Sequence, residues 1–205
     1  MQTQRVYQRF ARFYGAFRVV WGFFTHPIEA ALDEIFRSRI RPGTRILELG
    51  PGTGINIGRL YRCARGFRSY LGIDASKEML ARAQGLADDD ERIELRNGDA
   101  THLKDLPRAF DLIVSTWMLS HLDAPAATVR TALEKLDPGG TAVFVFLTRS
   151  RWKPLDWALR ALGGPFAYKA VDPEPIRSLP EMESYFSCAG GMATLVVFHT
   201  LAHGE

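Results

Sequence analysis

The chain has 205 residues, 46% hydrophobic and 24% charged. That balance suits a soluble globular protein long enough for one domain around a central sheet, and it excludes wholesale disorder. A net charge of +3 is too small to argue for a nucleic-acid partner. Cys63 and Cys188 stand in no Cys/His cluster, which argues against a disulfide scaffold or a metal site and for a reducing, cytoplasmic setting.

Arg5, Arg9, Arg12 and Arg18 interrupt every apolar stretch of residues 1–24, so neither a secretory leader nor stable membrane insertion is expected. In the same segment Tyr7, Phe10, Tyr14, Phe17, Trp21 and Phe24 recur at helical spacing and form one aromatic stripe. This predicts a helix, then a break near 22–27 and a second helix over Pro27–Phe36 capped by Thr25, the two together (1–36) making a helical cap.

From Arg45 onward strands and helices alternate. Strands are predicted at 45–49, 69–73, 92–96, 110–115 and 141–147, with helices at 55–64, 77–84 and 125–136 between them. Ser76 is a fitting N-cap for the second of these helices, and Gly85 marks its end. Such alternation implies βαβ units and an α/β, doubly wound, mostly parallel Rossmann-like sheet, with ligands at the carboxyl ends of the strands. After Leu147 the pattern loosens. Residues 149–180 read as a helix plus irregular cover, 182–188 as a short helix and 192–200 as a sixth strand. The whole chain reads as one domain: the cap, a ligand-binding core over 45–147, and a substrate-side segment with the last strand over 148–205.

The sharpest motif is Ile46-Leu-Glu-Leu-Gly-Pro-Gly-Thr-Gly54. Three glycines at alternate positions let the chain turn off a strand while its backbone approaches a ligand. The spacing differs from the G-x-G-x-x-G that seats a pyrophosphate, and Glu48 just ahead of it suits a cationic ligand, directly or through water. Asp74 ends Leu71-Gly-Ile-Asp74, where a carboxylate can accept bonds from two ribose hydroxyls, although an N-cap role is the plain alternative. Asp99, in Asn97-Gly-Asp-Ala100, stands where a side chain can reach an adenine amino group, or simply makes a turn.

These motifs at three successive strand ends, with Phe110-Asp-Leu-Ile-Val-Ser115 and Leu136-Asp-Pro-Gly-Gly140, resemble the class I S-adenosylmethionine-dependent methyltransferases. The resemblance implies a seven-stranded sheet with one antiparallel strand. It also implies S-adenosyl-L-methionine as cofactor, S-adenosyl-L-homocysteine as product, and in-line methyl transfer. It places the cofactor against Glu48, Gly50, Gly52, Thr53, Gly54 and Asn56, against Asp74, Ala75 and Met79, against Asp99 and Ala100, and against Ser115 and Trp117. Val6-Tyr-x-x-Phe-Ala-x-x-Tyr14 is similar to the amino-terminal pattern of the ubiquinone/menaquinone-biosynthesis C-methyltransferases, which adds Tyr7 and Tyr14 as a lid; Gly15 departs from that pattern, where the group has Asp. Only six strands are readable before Glu205, so the seventh is either absent, supplied by a partner, or hidden by a wrong register near the carboxyl end.

The sulfonium supplies its own electrophile, so the protein mainly aligns donor and acceptor. His121, six residues past Ser115, is the candidate general base for an acceptor that must lose a proton, with a structural role as the alternative. The expected acceptor is a small or lipid-like molecule, its O, N or C nucleophile open, and the oligomeric state, including a dimer, is open as well. An aminopropyltransferase on the same fold would want acids after strand four, and 115–121 has none. A non-catalytic module whose partner completes the sheet is the remaining rival.

Overall fold

The computed structural model describes residues 25–64, 66–107, 109–150 and 169–201. The expectations for Tyr7, Tyr14 and the aromatic stripe of 1–24 lie outside the described residues, as does most of the cover after Leu147.

Helix α1 occupies residues 25–39. Ile28, Leu32, Phe36 and Ile40, four apart, are all at most 1% exposed, each contributing about 1.5–3 kcal/mol on burial. The stripe passes beyond Phe36, so α1 outruns its predicted end, and Thr25 lies within the helix instead of capping it.

Among the described residues seven strands follow: β1 Arg45–Leu49, β2 Ser69–Asp74, β3 Ile93–Asn97, β4 Phe110–Thr116, β5 Leu136–Leu147, β6 Met182–Cys188 and β7 Ala193–His199. Helices α2 (Ile55–Cys63), α3 (Lys77–Ala87) and α4 (Pro125–Leu133) link the parallel ones, with a 3-10 turn at Met118–His121 after β4. The sheet order is β3-β2-β1-β4-β5-β7-β6. Strands β1 to β5 pair in parallel, and β7 runs antiparallel between β5 and β6.

Alternation on the strands sorts side chains into two layers. Ile46, Tyr70, Leu112, Val114, Val143 and Val145 pack with α1, α2 and α3. Leu47, Leu49, Ile113, Phe144 and Phe146 pack on the other face with α4 and Ile176. Strand order reverses at β1, between β2 and β4, and this puts the crevice for a ligand at the carboxyl end of β1.

Further sequence expectations are corrected. Residues 182–188 form an edge strand, not a helix; Tyr185 packs on one core layer, Cys188 on the other, and Phe186 is 41% exposed. Long-range pairing with β7 decides that conformation. Counting it gives seven strands, so the sheet needs no partner to reach that number. Helix α3 runs through Gly85 to Ala87, because Leu80, Ala83 and Ala87 share its buried face; Asp88 at φ 48° stops it. Helix α4 ends at Leu133, and β5 begins at Leu136 through a register shift opposite Phe110–Leu112, earlier than the predicted Thr141.

Candidate cofactor site

Gly50, Gly52 and Gly54 all adopt left-handed backbone, at φ 72°, 55° and 84°. Their surroundings differ. A Cβ at Gly50 would come within 2.9 Å of Met118, and one at Gly54 within 3.0 Å of the Ala83 backbone, whereas one at Gly52 meets nothing within 4 Å. Gly50 and Gly54 therefore let the loop pack tightly, and Gly52 faces open space.

The loop is fastened to β2. Gly50 N–H donates to the Ile73 carbonyl at 2.9 Å. Gly52 N–H donates to Asp74 Oδ2, and Ser76 N–H to Asp74 Oδ1, each at 2.9 Å. Each carboxylate oxygen keeps a second lone pair for a ligand hydroxyl. Ser76, not Asp74, caps α3, its Oγ accepting from Met79 N–H at 3.2 Å. Asn97 Nδ2 then donates to the Asp74 and Ala75 carbonyls, so the ends of β2 and β3 are tied to one another.

Asp99 is exposed and accepts from Thr101 N–H and Oγ1, while its Oδ2 lies 2.8 Å from His102 Nδ1. The Thr101 hydrogen bonds hold its carboxyl below the usual range. Nothing in the sequence marked His102. Ala100 is buried beside it; Thr53 and Met79 are half-buried, and Ala75 is exposed.

Glu48 sits beneath the loop, 1% exposed. Its Oε1 accepts from Asn56 Nδ2 at 2.7 Å and its Oε2 from Tyr70 OH at 2.6 Å. Burial pushes its pKa up to about 7, opposed by the Tyr70 and Asn56 hydrogen bonds and the Arg59 charge, and assisted by Asp74. Burial and the neighbouring Glu48 push Tyr70 well above its ordinary value, so it remains a donor. Asn56 also donates to Thr116 Oγ1 at 3.1 Å.

Ser115 does not open on the crevice. It is fully buried, and its Oγ donates to the Leu49 carbonyl at 3.0 Å, joining β4 to β1. Trp117 is a non-glycine residue at φ 69°; its N–H donates to the Val145 carbonyl at 2.7 Å and its side chain packs partly on the α1–α3 layer. His121 is the exposed last residue of the 3-10 turn.

Residues 47–144 match the family described as a methyltransferase domain, and they carry this loop, its acid and the strands on either side. Through this segment the chain is similar to the class I S-adenosylmethionine-dependent methyltransferases. Among relatives, the ubiquinone biosynthesis O-methyltransferase of Aeromonas salmonicida (strain A449) is 30% identical over 134 residues, 63% of this chain and 52% of that protein. The phosphatidylethanolamine N-methyltransferase of Cereibacter sphaeroides is 35% identical over 108 residues, 50% of each. The chain thus spans about half the length of these curated relatives. The fold is shared with the N-methyltransferase NodS from Bradyrhizobium japonicum, solved with S-adenosyl-L-homocysteine. Its TM-score is 0.64 at 19% identity, covering 85% of this chain and 86% of that one.

The site fits the cofactor of those methyltransferases. The open face at Gly52 admits close backbone approach, Asp74 offers acceptors beside it, and the acid below favours a cation. Among the described residues no group of acids, histidines and cysteines is built to hold a metal ion, and no helix is long and apolar enough to cross a membrane.

Proposed function

We propose that the carboxyl edge of β1, β2 and β4 binds S-adenosyl-L-methionine, and that this chain transfers its methyl group to a small, lipid-like acceptor. The observation that carries the reading is Gly52: left-handed, open above, and bonded through its N–H to Asp74. When bound, the cofactor supplies an electrophilic methyl on a sulfonium. The chain's own residues orient and shield. Asp74 and the loop amide fix one end of the site, Asp99 lies at the end of β3 for the base, and Glu48 adds negative potential from below. Trp117, held left-handed at the end of β4, walls the acceptor side. His121 takes the proton when the acceptor is a hydroxyl.

A lipid-like acceptor is supported by the relatives named for ubiquinone biosynthesis and for phosphatidylethanolamine. Their names place the methyl on oxygen and nitrogen respectively, so the atom methylated here is left to experiment. The test is calorimetric binding of S-adenosyl-L-methionine, followed by incubation with methyl-labelled cofactor and fractionated lipid and small-molecule extracts. Binding with label appearing in an extractable product is the expected result. Absence of binding overturns the reading, and binding without transfer to any fraction favours a non-catalytic module.

A further inference from the structure

Arg59, on α2, is a cation 3% exposed to solvent. A buried guanidinium needs partners on its donors, and it has them on both sides. From α1, Asp33 Oδ1 accepts from its Nε at 2.7 Å and Glu29 Oε2 accepts from its Nη2, while the Phe36 ring lies beneath it at 5.8 Å. From α2, the Asn56 Oδ1 accepts from its Nη1.

The two carboxylates of α1 already balance the charge. The third contact does something else. A guanidinium only donates, so Arg59 holds the oxygen of the Asn56 amide, and the amide must present its nitrogen to Glu48 and Thr116. A donor on Glu48 favours the ionised carboxylate, as does a cation one amide away.

We infer that Arg59 is a positioning residue for the cofactor loop: braced by Glu29 and Asp33, it orients Asn56 and keeps Glu48 charged beneath Gly50–Gly54. The inference rests on the proposed binding of a cationic cofactor above Glu48, which Arg59 then assists without touching it. The groups that face Glu48 are Tyr70 and Asp74 from β2 and Asn56 and Arg59 from α2, with Thr116 of β4 on the shared amide and Glu29 and Asp33 of α1 behind the guanidinium. Tyr70 and Arg59 favour the charged form, Asp74 opposes it, and the two acids of α1 moderate Arg59. Helix α1 is thereby wired to the cofactor loop.

Two readouts test this: the affinity for S-adenosyl-L-methionine by calorimetry from about pH 5.5 to about pH 8.5, and the ¹³C titration of the Glu48 carboxyl in ligand-free protein. In the wild type, affinity rises through a midpoint near 7, where Glu48 ionises. Glu48→Gln removes that step, and whatever pH dependence persists in that variant arises from groups other than Glu48. Arg59→Met moves the midpoint upward by about one pH unit, with a smaller upward move in Arg59→Lys, which keeps the charge but not the fork. Asp33→Asn, on a partly exposed partner, moves it downward and keeps the inference testable if Arg59→Met fails to fold. Unmoved midpoints in all three variants, with affinity merely scaled, overturn the relay. A wild type that titrates at Glu48 but binds no cofactor overturns the cofactor reading instead.

Discussion

At their amino ends β1, β4 and β5 are clamped by one arginine, while at their carboxyl ends β1 and β4 frame a crevice whose acid is left partly uncompensated. Arg45 donates from its backbone, Nε and Nη2 to Asp111, at 2.7, 3.0 and 2.9 Å, and reaches Asp137 as well. Burial pushes Asp111 up, but the Arg45 bonds outweigh it and hold the carboxyl below its usual range. At the other end Glu48 is fully enclosed, the Arg59 cation stands one amide away, and its pKa climbs to about 7. The same strands thus neutralise charge where only stability is at stake and withhold neutralisation where a cationic ligand is to complete it.

The largest test of that contrast is Gly52→Val. A branched side chain at φ 55° adds about 1–2 kcal/mol of backbone strain and fills the open face. Cofactor binding should vanish by calorimetry while the protein remains folded, and a variant that binds normally would place the ligand elsewhere. Next is the pH dependence of stability. Glu48 has its folded pKa raised from 4.5 to about 7. Its contribution is therefore fully present below about pH 4.5 and lost as pH rises through 7, a change on the order of 3 kcal/mol at most. Wild-type Tm should decline between about pH 5 and pH 8 relative to Glu48→Gln, and parallel curves would contradict the burial argument. Asp74→Ala removes the acceptor of Gly52 N–H and, on the proposed reading, a contact to the ribose, and should weaken cofactor binding by about 1.5–3 kcal/mol. Unchanged affinity in a folded variant would sink the assignment. Smallest is Arg45→Met. Its partners are partly exposed, so denaturant unfolding should report a loss of about 1–2 kcal/mol with cofactor affinity unaltered. A drop in affinity would mean that the two ends are coupled.

The fold from Arg45 to Leu147 was readable because each βαβ unit announces itself locally, and the glycine spacing matches a loop that needs left-handed backbone at three alternate positions. The β6 strand was not, since Met182–Cys188 carries no clean alternation and owes its conformation to a neighbour met later in the chain. Nor was the orientation of Ser115 readable: it stands at the mouth of the sheet by position, yet alternation turns its hydroxyl inward to the Leu49 carbonyl. Arg59 went unnoticed because its acids lie 26 and 30 residues upstream. A signal was available: Asn56, Ile57, Arg59 and Leu60 form the buried face of α2, and a charge inside that stripe demands a partner.

The position of β7 has a kinetic consequence. It covers the edge of β5, whose Val143, Phe144, Val145 and Phe146 are all fully buried, yet among the described strands of this sheet it is made after all the others. Until Ala193–His199 arrives, the parallel half of the sheet presents an unprotected apolar border to any other nascent chain. During synthesis, escape from aggregation is therefore a race that the arrival of β7 decides. A truncation just before Ala193 should fail by precipitation, although it removes none of the residues assigned to the cofactor.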